Sequence, residues 1–312
     1  MVTRCNSDTK KSIRNSNLNS INIASFLQSS LIAAGLKKRS RYGFWAPPNT
    51  DVYIRKVLGY NQSNMLDVAI DAARQGGELA LKYFKTQPKV SYKADKSPVT
   101  RADIEAEKLI RKIITKKFPD HGIIGEELPP VNPKAKYQWV IDPIDGTRDF
   151  IRGIPFWNTF LAVLKDKKPI IGIIFTATYD ELFVAQHGKG TYLNNKKTKV
   201  SKISDLKLAC ISHGPISVFK KKGKLKGLVK ICDIVKHRRG FGSIGLNLLL
   251  KDQVDIFMEP GGGTHDFAAP SILIEEAGGN FSDFSGKSSL TSGCFVATNG
   301  ILHDQVIRLL NQ

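Results

Sequence analysis

The chain has 312 residues, 41% hydrophobic and 24% charged, a composition typical of a globular protein. Its formal net charge of +19 favours anionic partners such as phosphorylated small molecules, nucleic acid or anionic lipid. No apolar run approaches the ~20 residues needed to span a bilayer, and the four cysteines are too widely spaced for a paired metal site.

The first 64 residues differ in composition from the rest of the chain. They contain 10 Lys and Arg residues against two acids, Asp8 and Asp51, and show no sustained periodicity. Such a basic segment (1–64) is typical of a disordered extension or an organelle transit peptide. A third interpretation is that translation begins at Met65, where the first strong helical pattern starts. We expect a cytoplasmic protein, or an organellar one if this segment is a transit peptide.

The remaining residues, 65–312, are predicted to form one domain with a metal-site half at about 65–200 and a C-terminal half at about 201–312. Apolar residues at helical spacing predict a helix from Met65. In chain order, we then predict a strand and turn at 90–99, a helix at 101–118 capped by Thr100, strands at 123–125, 138–141, 158–164, 169–177 and 181–186, a helix at 243–251, a strand at 254–258 and a helix at 266–277. Strands and helices alternate, which indicates an α/β or α+β domain.

Acidic residues stand out in this basic chain because they follow predicted strands. Glu126 and Glu127 follow one strand, Asp142 follows another and precedes Asp145, and Asp266 opens a helix. Carboxylates gathered in this way repel one another unless cations neutralise them. Hard oxygen ligands favour magnesium, manganese or calcium over zinc. The pattern therefore predicts a site for a hard divalent cation.

The run Asp142-Pro-Ile-Asp-Gly-Thr147 is the centre of this pattern. Pro143 is expected to stiffen a turn between the two aspartates, and Gly146 lets the backbone approach a ligand closely. Free amides at Gly146 and Thr147 could bind a phosphate. Taken alone, the run is equally compatible with an ordinary surface turn, and a Glu-Glu pair is usually solvated. Their joint occurrence favours the site.

Four segments resemble the inositol monophosphatase family of lithium-sensitive, magnesium-dependent phosphatases. They are GEE at 125–127, WVIDPIDGTRDF at 139–150, GKGTYLN at 188–194 and HDFAAPSILIEEAGG at 265–279. The resemblance implies a layered αβαβα sandwich of the inositol monophosphatase and fructose-1,6-bisphosphatase type, assembled as a homodimer. It also implies hydrolysis of a small-molecule phosphate monoester.

The resemblance assigns roles to individual residues. The ligands of two or three Mg²⁺ ions, or of Mn²⁺, would be Glu126, Asp142, the Ile144 carbonyl, Asp145 and Asp266. Glu126 would also take part in catalysis, and Glu127 would support the site. Asp103 would pair with Thr147 to orient the attacking water, and Gly146 with Thr147 would bind the phosphate. The family usually has Trp or Tyr where this chain has His265, which leaves a packing role and a substrate contact both open.

The substrate is predicted from a narrower resemblance. Arg152-Gly-Ile-Pro155, with Trp157 and Thr159, and the run 239–242 resemble the histidinol-phosphate phosphatase branch. L-Histidinol phosphate is therefore the expected substrate, with Arg152 and Glu259 as candidate contacts. Inositol 1-phosphate or a range of sugar phosphates is the alternative.

An interpretation of another class is a nucleic-acid or transcription-complex partner, which the positive charge suits. No basic helix interleaved with aromatic residues is evident, so nucleic acid is not the expected partner.

Overall fold

The computed structural model describes residues 65–84, 86, 90–93 and 98–312, so our predictions for segment 1–64 lie outside the described residues. The helices are α1 (Met65–Phe84), α2 (Arg101–Lys117), α3 (Thr147–Ile151), α4 (Ile216–Lys221), α5 (Leu225–Ile234), α6 (Ile244–Leu250), α7 (Thr264–Glu276) and α8 (His303–Leu310). The strands are β1 (Val90–Tyr92), β2 (Pro98–Thr100), β3 (Gly122–Gly125), β4 (Tyr137–Asp145), β5 (Asn158–Lys165), β6 (Lys168–Thr176), β7 (Glu181–Gln186), β8 (Gly190–Leu193), β9 (Lys196–Thr198), β10 (Cys210–His213), β11 (His237–Arg239), β12 (Ile256–Glu259), β13 (Asn280–Ser282) and β14 (Phe295–Thr298). No helix in this part of the chain is long and apolar enough to cross a membrane.

Two mixed sheets organise the domain. The first has seven strands in the order β3-β4-β5-β6-β7-β8-β9, with β3 parallel to β4 and every other pair antiparallel. The second has five strands in the order β11-β10-β12-β14-β13, and β10 is parallel to both of its neighbours. Strands β1 and β2 form a separate antiparallel pair.

The sheets alternate with three layers of helices. Helices α1 and α2 cover one face of the seven-stranded sheet, α6 and α7 lie between the two sheets, and α5 and α8 cover the far face of the five-stranded sheet. Strand β4 shows why: Trp139 and Ile141 point into the first core and Val140 into the second, because successive side chains of a strand alternate between faces. The predicted αβαβα layering is confirmed.

The helix predicted after Thr100 forms as expected. The Thr100 hydroxyl accepts a hydrogen bond from the Ala102 amide, and the Asp103 carboxylate accepts one from the Thr100 amide. This capping box places Asp103 in the first turn of α2, where the helix dipole favours a negative charge.

Helix α7 begins earlier than predicted, so Pro270 lies inside it rather than in its first turn. A proline there supplies no amide for the carbonyl four residues before it. The helix persists because its residues from Phe267 to Ile274 are buried between the sheets. Tertiary packing overrides the local cost of the proline.

The turn predicted between Asp142 and Asp145 is wrong, since both residues belong to β4. Asp142 pairs with Phe160 and Asp145 with Asn158, so two residues on β4 oppose one on β5. The Thr159 hydroxyl donates to the Pro143 carbonyl at 2.9 Å. The result is a β-bulge, which redirects the end of the strand as bulges near functional sites do.

Candidate active site

A cavity of about 670 Å³ opens where the acidic ends of both sheets meet. It is lined by Glu126, Asp145, Gly146, Thr147, Glu259 and Asp266 from the predicted site, together with Arg148, Asp149, His213, Ser243 and several glycines and phenylalanines. These residues come from the ends of β3, β4 and β12 and from the start of α7. The fold therefore gathers residues that are far apart in sequence into one cleft.

Three carboxylates in this cleft are close enough to share a metal ion. Asp142, Asp145 and Asp266 each offer an oxygen within 4.8 Å of the others. Asp142 is held by a hydrogen bond from the Ile144 amide to its Oδ1 at 3.0 Å. Because carboxylate oxygens are hard ligands, this donor set suits Mg²⁺ or a similar cation better than zinc.

The electrostatics of the cluster also suit a cation. Burial, reinforced by the negative charges of Glu126, Asp145 and Asp266, raises the pKa of Asp142 well above its ordinary value. Burial and the charge of Asp266 raise the pKa of Asp145 to about 7. Ionising each of these carboxylates therefore costs free energy, and a bound divalent cation would remove this cost.

Lys93 supplies a positive charge to the glutamate pair. Its Nζ lies 2.7 Å from Glu126 Oε1 and 2.8 Å from Glu127 Oε1. Burial alone would lower the pKa of Lys93, but its hydrogen bonds to both glutamates raise it. Burial raises the pKa of Glu127 to about 7 against the opposing effect of the lysine. No local pattern separates Lys93 from the other basic residues, so sequence reasoning missed it.

Asp103 lies close to Glu126 but is not bonded to Thr147. Its Oδ2 accepts from the Thr100 amide at 2.8 Å and the Thr100 hydroxyl at 2.6 Å. The buried Oδ1 has no hydrogen-bond partner among the described residues. The Thr147 hydroxyl donates to the Ile144 carbonyl at 3.1 Å. Burial raises the pKa of Asp103 to about 6.

Gly146 forms the junction between β4 and the short helix α3. Its φ of 97° lies in the left-handed region, and a Cβ there would lie 2.9 Å from the Phe156 carbonyl oxygen. Only glycine fits this position without strain. The Gly146 carbonyl accepts from the Asp149 and Phe150 amides, and both Gly146 and Thr147 line the cavity.

Glu259 at the end of β12 and His265 in the first turn of α7 flank the cluster. Burial, and then the charges of Asp145 and Asp266, raise the pKa of Glu259 to about 8. His265 Nε2 lies 3.1 Å from Asp266 Oδ2. Burial disfavours protonation of His265, but the hydrogen bond to Asp266 and the charge of that aspartate together raise its pKa. His265 therefore contacts a candidate ligand directly.

Arg152 is placed apart from the other predicted residues. It is exposed and does not line the cavity, whereas Arg148 of the same helix does. Burial raises the pKa of Asp149, and the charge of Arg152 offsets part of this rise.

Part of the cavity wall is formed by glycine. A Cβ added at Gly240 or Gly242 would meet nothing within 4 Å, and neither residue has a positive φ. Neither the backbone conformation nor close packing requires glycine at these two positions. Their lack of a side chain leaves this part of the cavity open.

Comparison with known proteins identifies the family of this chain. The family model described as the inositol monophosphatase family matches residues 61–312. The chain belongs to the inositol monophosphatase family. It is 31% identical to a histidinol-phosphatase of Mycobacterium tuberculosis over 253 residues, which are 79% of this chain and 97% of that protein. It is 33% identical to inositol monophosphatase 3 of Solanum lycopersicum over 261 residues, 79% of this chain and 96% of that protein.

Solved structures show the same fold. The extragenic suppressor protein suhB from Bartonella henselae superposes with a TM-score of 0.75 at 27% identity, covering 79% of this chain and 98% of that one. The inositol monophosphatase family consists of phosphatases that are generally metal-dependent, and the aspartate cluster could bind such a metal.

Proposed function

We propose that this chain hydrolyses the phosphate monoester of a small, positively charged alcohol, with L-histidinol phosphate as the preferred substrate and Mg²⁺ as the metal. The observation that carries the proposal is the cluster of three aspartates on the wall of a 670 Å³ cavity. The cavity is large enough for an organic group besides the phosphate.

The metal would be held by residues that the fold brings together. Asp142, Asp145 and Asp266 are the central ligands that we propose, with Glu126 and the Ile144 carbonyl completing the set. Glu127 supports them through Lys93, which it shares with Glu126. When bound, Mg²⁺ would supply charge neutralisation for the phosphate and a lowered pKa for a bound water. Mn²⁺ fits the same oxygen donors.

Asp103 and Thr147 are proposed to orient the attacking water. The Asp103 Oδ1 is buried and unpartnered among the described residues, so it is available to accept a proton or a hydrogen bond. The Thr147 hydroxyl would turn from the Ile144 carbonyl to join it. With its pKa at about 6, Asp103 is mostly ionised at neutral pH, which an acceptor requires.

The phosphate is proposed to lie against the amides of Gly146 and Thr147. Both residues line the cavity beside Asp145, and the left-handed conformation of Gly146 leads the chain directly from β4 into α3. Positioning and charge neutralisation account for most of the catalysis of phosphoryl transfer.

The organic part of the substrate would occupy the space beside Gly240 and Gly242. Glu259 lines the same cavity, and a cationic amine would restore the ionised state that its surroundings disfavour. Asp149 adds a second acid to the lining. Both groups favour the cationic histidinol phosphate over inositol 1-phosphate or a sugar phosphate, which remain the alternative. A role for Arg152 would require it to turn inward.

A hydrolysis panel with and without Mg²⁺ tests the proposal. We expect kcat/KM for histidinol phosphate to exceed that for inositol 1-phosphate and fructose 1,6-bisphosphate by at least about tenfold, because a charged hydrogen bond contributes ~1.5–3 kcal/mol. Glu259→Gln should remove this preference and spare hydrolysis of the two substrates that lack a positively charged group. A wild-type preference for inositol 1-phosphate would reject histidinol phosphate as the substrate, and full activity without metal would reject the metal site.

Homodimer formation, cytoplasmic or organellar localisation, and the interpretation of segment 1–64 stay predictions.

A further inference from the structure

A connected group of buried polar side chains lies behind Asp145. Asn158 on β5, Thr176 on β6 and Asn247 on α6 each have 0% exposure, and Ser243, which precedes α6, has 8%. Asp145 and Asn158 are paired across β4 and β5. Buried polar groups are costly unless they are satisfied, so four of them beside one carboxylate call for a physical explanation.

Hydrogen bonds satisfy every member of this polar chain. The Asn158 Nδ2 donates to Ser243 Oγ at 2.5 Å and to Asn247 Oδ1 at 3.2 Å. The Thr176 hydroxyl donates to Asn158 Oδ1 at 2.5 Å. The Asn247 Nδ2 donates to Thr176 Oγ1 at 2.7 Å and to Asn158 Oδ1 at 3.2 Å. Ser243 in turn lies beside the Asp145 carboxylate, and its interaction with that carboxylate lowers the pKa of Asp145 against the effect of burial.

The three shortest of these bonds run in one direction, whereas the two 3.2 Å bonds join Asn158 and Asn247 in both directions. A hydroxyl carries a single proton. Thr176 gives its proton to Asn158 and accepts from Asn247, and Ser243 accepts from Asn158, which leaves its own proton for the adjacent Asp145. The donors therefore lead from Asn247 through Thr176, Asn158 and Ser243 to the carboxylate. Hydrogen bonds arranged head to tail polarise and strengthen one another in a buried environment.

We propose that Asn158 and Thr176 are positioning residues, which aim the Ser243 proton at Asp145 and so fix the orientation in which that carboxylate can bind a divalent cation. The inference rests on the metal site of the proposed function and extends it to residues that do not line the cavity. Partners of metal ligands of this kind typically affect metal affinity 10–100-fold. The polar chain also ties the site to both β6 and α6, so that elements from both halves of the domain hold one ligand.

The test is the affinity of the metal-free protein for Mg²⁺, measured by isothermal titration calorimetry. Asn158→Leu keeps the branched shape of the side chain and removes the link between Thr176 and Ser243, and we expect its Kd for Mg²⁺ to rise about tenfold. Thr176→Val removes one hydroxyl further away, and we expect a smaller rise. It provides the second test if Asn158→Leu does not yield folded protein.

Thr191→Val is the matched control. Thr191 is also a fully buried threonine on the seven-stranded sheet, and its hydroxyl donates to the Leu273 carbonyl at 2.6 Å, outside the polar chain. Thr176→Val and Thr191→Val should lower Tm by similar amounts, and only Thr176→Val should weaken Mg²⁺ binding. An unchanged Kd in the Asn158 and Thr176 variants, or an equal loss in the control, would overturn the inference. A wild-type protein that binds no Mg²⁺ would overturn the proposed metal site itself.

Discussion

Asp142 serves the candidate metal site at a cost to the stability of the metal-free protein. It is 1% exposed and faces Asp145 and Asp266 without a basic partner in the cluster. An uncompensated buried charge destabilises a fold. Asp142→Asn keeps the shape and removes the charge, so we expect a higher Tm without metal and a loss of phosphatase activity of more than about a hundredfold, the upper range for residues that only support a ligand.

Thermal melts in EDTA and kcat/KM with Mg²⁺ measure the two effects of Asp142→Asn. The exposed Asp166, which lies in a turn, supplies the control Asp166→Asn, and it should change neither quantity. If Asp142→Asn were less stable than the wild type in EDTA, the repulsion inferred for the cluster would be contradicted.

The open cavity wall at Gly240 leads to a second prediction for single residues. A Cβ there would meet no protein atom within 4 Å, so we expect Gly240→Val to leave Tm nearly unchanged. It should lower kcat/KM for histidinol phosphate about tenfold or more because it takes space from the organic group. Gly240→Ala should have a smaller effect of the same kind, and glycerol phosphate, which is smaller, should be hydrolysed almost normally by both. Equal losses with both substrates would show that the wall does not contact the organic group.

At the scale of elements, the close contact between α7 and β6 positions Asp266. A Cβ at Gly172 would lie 2.4 Å from Ile272 Cγ2 and 2.7 Å from the Ala269 carbonyl oxygen. Gly172→Ala should therefore push α7 away from the sheet. We expect a destabilisation of about 1–3 kcal/mol, typical of overpacking, and a weaker affinity for Mg²⁺ because α7 carries one of the ligands.

The outer helical layer offers a control for Gly172→Ala. A Cβ at Gly227 of α5 would lie 2.3 Å from the Leu310 carbonyl oxygen, so Gly227→Ala meets a similar steric clash far from the candidate ligands. Urea unfolding should show both variants destabilised, whereas Mg²⁺ titration should show a weaker affinity only for Gly172→Ala.

Local patterns predicted the long elements well and the short ones poorly. The helix at Met65 and the strand at 181–186 follow from strong periodicity and agree with α1 and β7. The bulge in β4 was not predicted, because Pro143 and Gly146 favour a turn locally while cross-strand pairing with β5 holds the segment extended. Strands of three or four residues in the second half, such as β11 and β13, are defined only by their neighbours in the sheet.

For the whole molecule, the acidic site could be predicted because its residues follow strands and match one family. The residues that hold the acidic side chains in position could not be predicted. Lys93 and the polar chain behind Asp145 become visible only when the fold brings distant segments together, as Asn158 and Asn247 lie 89 positions apart. Residues that can bind a metal are recognisable in local sequence motifs. The residues that orient them are brought into place by packing between distant segments.

The stability of the whole domain should depend on pH through the same carboxylates. Asp145 and Glu259 have pKa values of about 7 and about 8 in the folded protein, above the ordinary values of 3.8 and 4.5. The folded state therefore binds more protons than the unfolded state between these limits, and the free energy of unfolding of the metal-free protein must fall as pH rises from about 4 to about 8. A shift of about three pKa units corresponds to at most ~4 kcal/mol for one carboxylate, and at roughly 2–4 °C per kcal/mol this is a fall in Tm of up to about 8–16 °C for each of the two. Mg²⁺ competes with these protons, so the increase in Tm that it causes should be small at pH 5 and largest near pH 8.

Calorimetry with EDTA or Mg²⁺ across this range measures the difference in Tm. Asp145→Asn should make Tm depend less on pH both in EDTA and in Mg²⁺. An increment that is equal at pH 5 and pH 8 would show that Mg²⁺ stabilises the protein elsewhere than at these carboxylates.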